Sequence, residues 1–209
     1  MFEGLLKFIH SLQIILGQKK QIDEIESLMS FVSSRSSYIT QVSLYGYLKA
    51  RAGTSYVSLI KDPIFASAMK NARNNIFFAC LTDLTLYVLK TILNRKQDNF
   101  QNFDSLALHF FTQTLAKVSQ EVFEILKRED IILKFENHLR KHNWKDTDDS
   151  HDFFSGSRSA LLKWAPVVEE FKILDEEIVS NSIRFKWLRV CQEFEKFIDF
   201  EKIKLEDKL

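Results

Sequence analysis

The chain has 209 residues, of which 45% are hydrophobic and 27% are charged, and this balance is typical of one globular domain rather than a disordered chain. Only 5 glycines and 2 prolines are present, which disfavours turn-rich β folds and favours a few long helices. The formal net charge of +1, without a basic stripe, disfavours a nucleic-acid-binding protein.

Residues 1–17 predict an amphipathic helix that either covers the core or lies on a membrane surface. Glu3, Lys7 and His10 interrupt its apolar run, so a signal peptide is not predicted, and we expect a cytoplasmic protein. Any membrane contact would be peripheral, at the inner face, and removal of this segment would then abolish flotation with liposomes. The apolar residues recur at helical spacing: Phe2, Leu5, Leu6, Ile9, Leu12 and Leu16.

A long helix is predicted over residues 23–52. Asp23 is expected to cap it, with Glu26 three positions later as in a capping box. The serine-rich run at 33–37 marks a point where the helix could kink or break, because serine hydroxyls compete for backbone hydrogen bonds. Gly53 is expected to end the helix in the left-handed C′ position.

The next predicted helix covers residues 63–95 and is the most apolar of the chain. Asp62 is expected to cap it, and Pro63 suits its first position. Its central stretch is long enough to span a bilayer. Asp83 and Lys90 would each be costly in the centre of a membrane, so we predict a central helix buried by its neighbours instead.

The following part of the chain predicts further helices and a break. Asp104 is expected to cap a helix that reaches about residue 127, and residues 128–142 either continue it or form a separate helix. Residues 143–157 are predicted to form an acidic loop. This loop is too short to separate two independent domains.

The C-terminal part is again helical in its pattern. Pro166 is expected in the first turn of the last helix, and the charged residues 196–209 are expected to fray. Residues 1–209 therefore predict a single all-α domain, built as a bundle of about six mostly long, antiparallel helices.

No pattern of established catalytic chemistry stands out. The chain lacks phosphate-binding glycine loops and a G-x-S-x-G elbow, and the serines around Gly156 lack the strand–turn–helix context of a nucleophile. His138 and His142 share a helix face, but Arg140 and Lys141 between them disfavour a cation. We therefore predict no catalytic residue, no metal site and no cofactor.

Polar residues that interrupt apolar faces predict a candidate site. Asp83 should not be buried unpaired, and Arg51 or Arg184 could be its partner. The carboxylates of the stretch 175–179 belong either to a charged helix face or to an ion pair with an arginine elsewhere. Gly46 costs roughly 1 kcal/mol relative to alanine inside a helix, which predicts that another backbone approaches there. The predicted cluster, either a structural network or a ligand pocket, comprises Tyr45, Tyr47, Arg51, Asp83, Arg184 and Trp187.

Three short segments carry a resemblance to a known group of proteins. Tyr45–Lys49 with Arg51 and Gly53, Trp164–Pro166, and Ile183–Trp187 resemble motifs of an uncharacterised, all-helical family of alphaproteobacterial proteins. The resemblance covers roughly residues 38–90 and 160–190. Members are sometimes labelled "esterase", which implies a hydrolase, although this chain has neither a nucleophile elbow nor the pattern of a parallel sheet.

The function predicted from these features is that of a non-catalytic, helical protein-interaction or assembly factor with a protein partner. It could also be peripheral to the inner membrane, through the amphipathic segment 1–17. Two alternatives stay open. One is an esterase-like hydrolase, for which Ser155, Ser157 or Tyr47 would be the reactive residue. The other is a helical protein that binds a small ligand at the polar cluster.

Overall fold

The computed structural model describes residues 21–96, 103–119, 123, 126–140 and 153–205, and their regular structure is helical. This confirms the prediction of an all-α bundle. Within these ranges the β structure is limited to an isolated bridge between Ile22 and Ile198. The helices of ten or more residues are α1 (Ile25–Ala52), α2 (Pro63–Lys96), α3 (Phe103–Ala116), α4 (Arg128–Leu139), α5 (Ser155–Trp164) and α6 (Glu169–Phe197).

Helix α1 begins two residues later than predicted and runs without interruption to Ala52. Its N-cap is Glu24, whose backbone N–H donates to Ser27 Oγ at 3.1 Å, so the predicted capping box of Asp23 and Glu26 is wrong. The serine-rich run does not kink out of or end the helix, which continues through it, and the Ser34 hydroxyl donates to the Phe31 carbonyl of the preceding turn at 3.1 Å.

Helix α1 ends at Gly53 as predicted, but this glycine does not adopt the predicted left-handed helical conformation. Gly53 has φ +53° and ψ −128°, a backbone conformation that residues with a side chain rarely adopt. Its N–H donates to the Lys49 carbonyl. The chain then turns through Gly53–Ser55 and a one-turn helix, Tyr56–Leu59, into α2. The sharp turn allows α2 to pack back along α1.

Helix α2 is central, as predicted. The Asp62 carboxylate caps it, accepting N–H bonds from Ile64 and Phe65 at 2.7 and 3.0 Å. By length and composition α2 is the one described helix that could cross a membrane, but 72% of its most apolar stretch is buried by the protein itself. Both Asp83 and Lys90 are buried there, and α1 and α5 pack against the helix most extensively.

Helices α3 and α4 differ from the predicted long segment. Helix α3 ends at Ala116, not near residue 127, because the N–H groups of Lys117 and Val118 bond three residues back at 3.2 and 3.1 Å and close the last turn. Helix α4 is a separate helix that starts at Arg128. The Phe111 and Phe135 rings stack at 3.9 Å and join the two helices.

The C-terminal region packs against the rest of the bundle. Helix α6 starts at Glu169 and not at Pro166, which lies in the turn that precedes it. After α6, Asp199 N–H donates to the Ile22 carbonyl at 2.9 Å, and Ile203 and Leu205 are buried. The fraying predicted for residues 196–209 stays a prediction, while the buried side chains of Ile203 and Leu205 place the segment up to residue 205 against the core.

Two predicted segments fall wholly or partly outside the described residues. The amphipathic helix at 1–17 lies outside them, so both its membrane contact and the cytoplasmic location stay predictions. Most of the predicted acidic loop at 143–157 also lies outside. Its last residues, Ser155–Ser157, form the first turn of α5.

The close backbone approach predicted at Gly46 is wrong. Gly46 is exposed, and a Cβ placed on it would meet nothing within 4 Å. A close approach occurs instead at Gly156 in α5, where a Cβ would lie 2.5 Å from an oxygen of Asp83. The glycine that the packing requires is thus on a different helix from the one predicted.

Candidate functional site

The predicted polar cluster separates into two groups on different parts of the bundle. Tyr47 and Arg51 meet Asp175 of α6, whereas Asp83 and Trp187 meet at Ser157 of α5. The two remaining members of the prediction join neither group in the described structure: Arg184 is exposed, and Tyr45 lies near Tyr56.

The first group, which we call the α1–α6 clamp, consists of Tyr47, Arg51 and Asp175. Tyr47 and Arg51 are one turn apart on α1, so both side chains reach the same carboxylate. The Tyr47 hydroxyl donates to Oδ2 of Asp175 at 3.0 Å, and the Arg51 guanidinium donates to both carboxylate oxygens. The Phe171 ring lies 4.8 Å from the guanidinium carbon of Arg51 and covers one face of it.

The pKa shifts within the clamp favour a fixed ion pair over acid–base chemistry. Hydrogen bonds from Arg51, with a further contribution from Tyr47, hold the pKa of Asp175 below its ordinary value, although burial opposes this. Burial, followed by the interaction with Asp175, raises the pKa of Tyr47 to about 12. At neutral pH the carboxylate is therefore charged and the phenol neutral, and neither group titrates where a general acid or base would operate.

The clamp predicts an acid-dependent loss of stability that Asp175→Asn should reduce. Because the pKa of Asp175 is lower in the folded protein, the unfolded chain takes up the proton first as pH falls. The stabilisation is present above about pH 4, the ordinary aspartate value, and is lost as pH falls through the folded value. Urea unfolding between about pH 6 and pH 3 should show a shallower pH dependence for the variant.

The matched control for that series is Glu176→Gln, which removes an exposed carboxyl of the same helix. Its unfolding free energy should follow the wild-type pH profile. If Asp175→Asn and Glu176→Gln had the same pH dependence as the wild type, the clamp would not contribute to stability through the charge of Asp175.

The second group ties α2 to the start of α5. Oδ2 of Asp83 accepts the backbone N–H of Ser157 at 2.6 Å, and the absence of a side chain at Gly156 lets the carboxylate approach the helix. Helix N-termini present unpaired N–H groups and a partial positive charge, which together stabilise a buried carboxylate. The prediction that Arg51 or Arg184 pairs with Asp83 is therefore wrong, since the backbone of α5 takes that role.

The hydroxyl of Ser157 makes two hydrogen bonds to its neighbours in this group. Its hydroxyl donates to the Phe154 carbonyl at 3.0 Å and accepts the indole N–H of Trp187 at 2.9 Å. Trp187 is 1% exposed and stacks on Phe154 with ring centroids 4.3 Å apart. Because Ser157 is itself buried, its hydroxyl is not placed to attack a substrate that arrives from solvent.

The other groups with nucleophilic or metal-binding chemistry offer no site among the described residues. Cys80 and Cys191 are free thiols, and burial raises the pKa of both, to about 11 for Cys191. Neither is therefore a thiolate at neutral pH. Within the described ranges, no group of three or more His, Cys, Asp or Glu side chains is arranged to hold a metal ion.

The largest unusual feature of the described surface is an apolar stripe on the outer face of α6. From Phe171 to Leu188 its side chains follow one another at intervals of three, four, seven and three residues, which is the spacing of a heptad seam. Within the interval of seven, Asn181 occupies the position where the heptad pattern would place another apolar residue. Single exposed apolar residues are normal, but an aligned row on one helix marks a contact surface. Five side chains, 46–74% exposed, make up this α6 stripe: Phe171, Leu174, Ile178, Phe185 and Leu188.

Three members of these groups are missing from the predicted cluster: Asp175, Gly156 and Ser157. Asp175 is in phase with the buried face of α6, four residues before Val179 and eight before Ile183, and a carboxylate in that phase needs a cation. Gly156 follows Ser155 at the start of α5. A serine followed by a glycine can indicate a helix N-terminus, but it does not indicate that a carboxylate approaches that terminus.

Comparisons of the chain with protein-family models, with curated proteins and with solved structures found no match. The resemblance to the alphaproteobacterial family stays a prediction, and the function has to be argued from the geometry of the chain itself.

Proposed function

We propose that this protein acts without catalysis, as a helical interaction factor that binds its partner through the α6 stripe. The observation that carries the proposal is the aligned exposure of five large apolar side chains on a helix whose opposite face is fixed to the core. The polar groups that would have been candidates for catalysis support it, because Ser157 is buried and the α1–α6 clamp is a closed ion pair.

The partner that best fits this surface is a second copy of the chain. An antiparallel pairing about a twofold axis between residues 179 and 180 would place Phe171 against Leu188 of the partner subunit, and Leu174 against Phe185 of the partner subunit. Every apolar position then meets an apolar position except in the central layers, where Ile178 faces Asn181 of the partner subunit. The stripe is thus complementary to itself, as an isologous interface requires.

The charges beside the stripe favour the same antiparallel arrangement. Glu170 and Glu177 flank its first half, and Arg184 and Arg189 flank its second half. Reversing one helix against the other brings Glu177 next to Arg184 of the partner subunit, twice per dimer. A parallel pairing would instead place like charges together, so the charge pattern selects the orientation.

The exposed area of the stripe, together with that of the polar residues beside it on α6, is large enough for a dimer interface. Taking about 180 Å² for a large apolar side chain, the exposed part of the stripe amounts to roughly 500 Å² per copy. A standard interface buries about 800 Å² per partner. The polar residues along both sides of α6 would supply the remainder.

We expect the protein to be a dimer, with twice the 24.6 kDa chain mass, in light scattering after size exclusion. Ile178→Asp should weaken dimerisation roughly a hundredfold or more, because it places a charge in a desolvated central layer. Ile64→Asp is the matched control, since Ile64 is 82% exposed near the start of α2 and lies outside the stripe.

A charge exchange tests the orientation separately. Glu177→Arg alone and Arg184→Glu alone should each weaken the dimer, and the double variant should recover it, since the two charges have only changed places. A protein that is monomeric at about 100 μM, well above the dissociation constant expected of a stable dimer, would exclude the second copy as the partner. Equal behaviour of Ile178→Asp and Ile64→Asp would exclude the stripe.

A further inference from the structure

A cavity of about 270 Å³, partly open to solvent and lined by both polar and apolar groups, lies between α1 and α2 and is bordered by the residues that follow α3. Hydroxyls of Ser33 and Ser37 line it from α1, and the Phe77 ring lines it from α2. A partly open cavity with such polar groups in its lining holds water or a polar ligand. The lining therefore predicts a polar occupant.

The cavity holds a cation without a carboxylate partner. Arg73 lines it and is half-buried, and among the described residues no carboxylate lies within ion-pairing distance of its guanidinium. The other cation at the rim, Lys117, is already paired with Glu26. A half-buried guanidinium with five N–H donors is best satisfied by an anion, and a carboxylate or phosphate fits its planar geometry.

A buried acceptor in the same cavity also lacks a partner. Gln41 lines the cavity and is 6% exposed; its Nε2 donates to Ser37 Oγ at 3.1 Å, and its Oε1 has no hydrogen-bond donor among the described residues. A buried amide oxygen without a hydrogen bond is costly, and an anion alone cannot supply one. The occupant that satisfies both groups must carry an anionic group and a hydrogen-bond donor.

We propose that this cavity binds a small hydroxylated organic anion. Its carboxylate pairs with Arg73, one of its hydroxyls donates to Oε1 of Gln41, and further hydroxyls bond to Ser33 and Ser37. Its carbon skeleton lies against Phe77. The volume accommodates on the order of a dozen non-hydrogen atoms, since a cavity of about 150 Å³ holds a benzene ring. This site is independent of the α6 stripe and of the proposed dimer.

Three compounds of related structure test the chemistry at constant ionic strength. Gluconate carries both the carboxylate and the hydroxyls, sorbitol carries only the hydroxyls, and acetate carries only the charge. We expect gluconate to raise the melting temperature and to give a saturable heat of binding in calorimetry. Sorbitol and acetate should each bind at least roughly tenfold more weakly, because each satisfies only one of the two unpaired groups.

Two variants locate the binding. Arg73→Gln should weaken gluconate roughly tenfold or more, and Gln41→Leu should bring gluconate and acetate closer together in affinity. Arg140→Gln, which removes an exposed arginine at the end of α4, is the matched control and should bind like the wild type. No saturable binding of gluconate by the folded wild type, equal binding of gluconate and sorbitol, or unchanged binding by Arg73→Gln would overturn the proposal.

Discussion

Replacing Gly156 by alanine is expected to destabilise the protein by about 3 kcal/mol. The new Cβ would lie 2.5 Å from Oδ1 of Asp83, and neither partner can yield easily. Asp83 is buried and held by the backbone N–H of Ser157 at 2.6 Å, so relief of the clash breaks that hydrogen bond or moves α5 away from α2. Chemical unfolding followed by far-UV circular dichroism measures the loss.

Gly46→Ala is the matched control for this prediction and should have the opposite sign. Gly46 is helical and exposed, with nothing near its missing side chain, so alanine should stabilise α1 by up to about 1 kcal/mol. A destabilisation of the same size in both variants would mean that the contact between Asp83 and α5 does not control the packing. Asp83→Asn combined with Gly156→Ala would not rescue the clash, because the amide is as large as the carboxylate.

Trp187→Ala is expected to cost about 3–5 kcal/mol, the largest single effect on the fold that we predict. Trp187 is among the largest fully buried side chains, stacks on Phe154, and donates its indole N–H to Ser157. Truncation therefore leaves a cavity and also removes one hydrogen bond of the buried Ser157 hydroxyl. Urea unfolding followed by circular dichroism avoids reliance on tryptophan fluorescence, which the substitution itself alters.

Two further variants separate the contributions of Trp187. Trp187→Phe keeps an aromatic ring for stacking but loses the indole N–H, and it should retain most of the stability. Trp164→Ala removes a half-buried tryptophan of α5 and should cost clearly less than Trp187→Ala. If both alanine variants lost the same stability, the group of Asp83, Ser157 and Trp187 would not be a centre of the core.

The elements with local signals were the ones that the sequence could predict. Helix α2 was located to within one residue because Asp62 and Pro63 together specify a helix start and no later residue competes with them. The end of α3 near Ala116 was missed because no glycine or proline marks it, and the apolar spacing continues past it. Asp62 and Pro63 together thus marked a helix start accurately, whereas the single signals at Asp23, Asp104 and Pro166 did not mark the starts of their helices.

The candidate site was harder to predict because its contacts join distant parts of the chain. Tyr47 and Asp175 are 128 residues apart, and Asp83 and Ser157 are 74 apart, so no spacing rule relates them. The prediction grouped tyrosines, arginines and a tryptophan into one cluster by residue type. In the structure these side chains point from their helices in different directions and form two separate groups. Packing decides that direction, and packing is a property of the whole bundle.

Two charged pairs set the position of α6 on α1. Arg51 holds Asp175 near one end of α6, and Arg35 holds Glu193 near the other, with Nε of Arg35 2.8 Å from the carboxylate. The two acids are about five helical turns apart, and their arginines follow in reverse order along α1, so the helices run antiparallel. Sliding or rotating α6 by one residue would separate both pairs at once and leave buried charges unmatched. The outer face of α6 is consequently presented at a fixed angle before any partner arrives, so binding there requires little ordering of the helix.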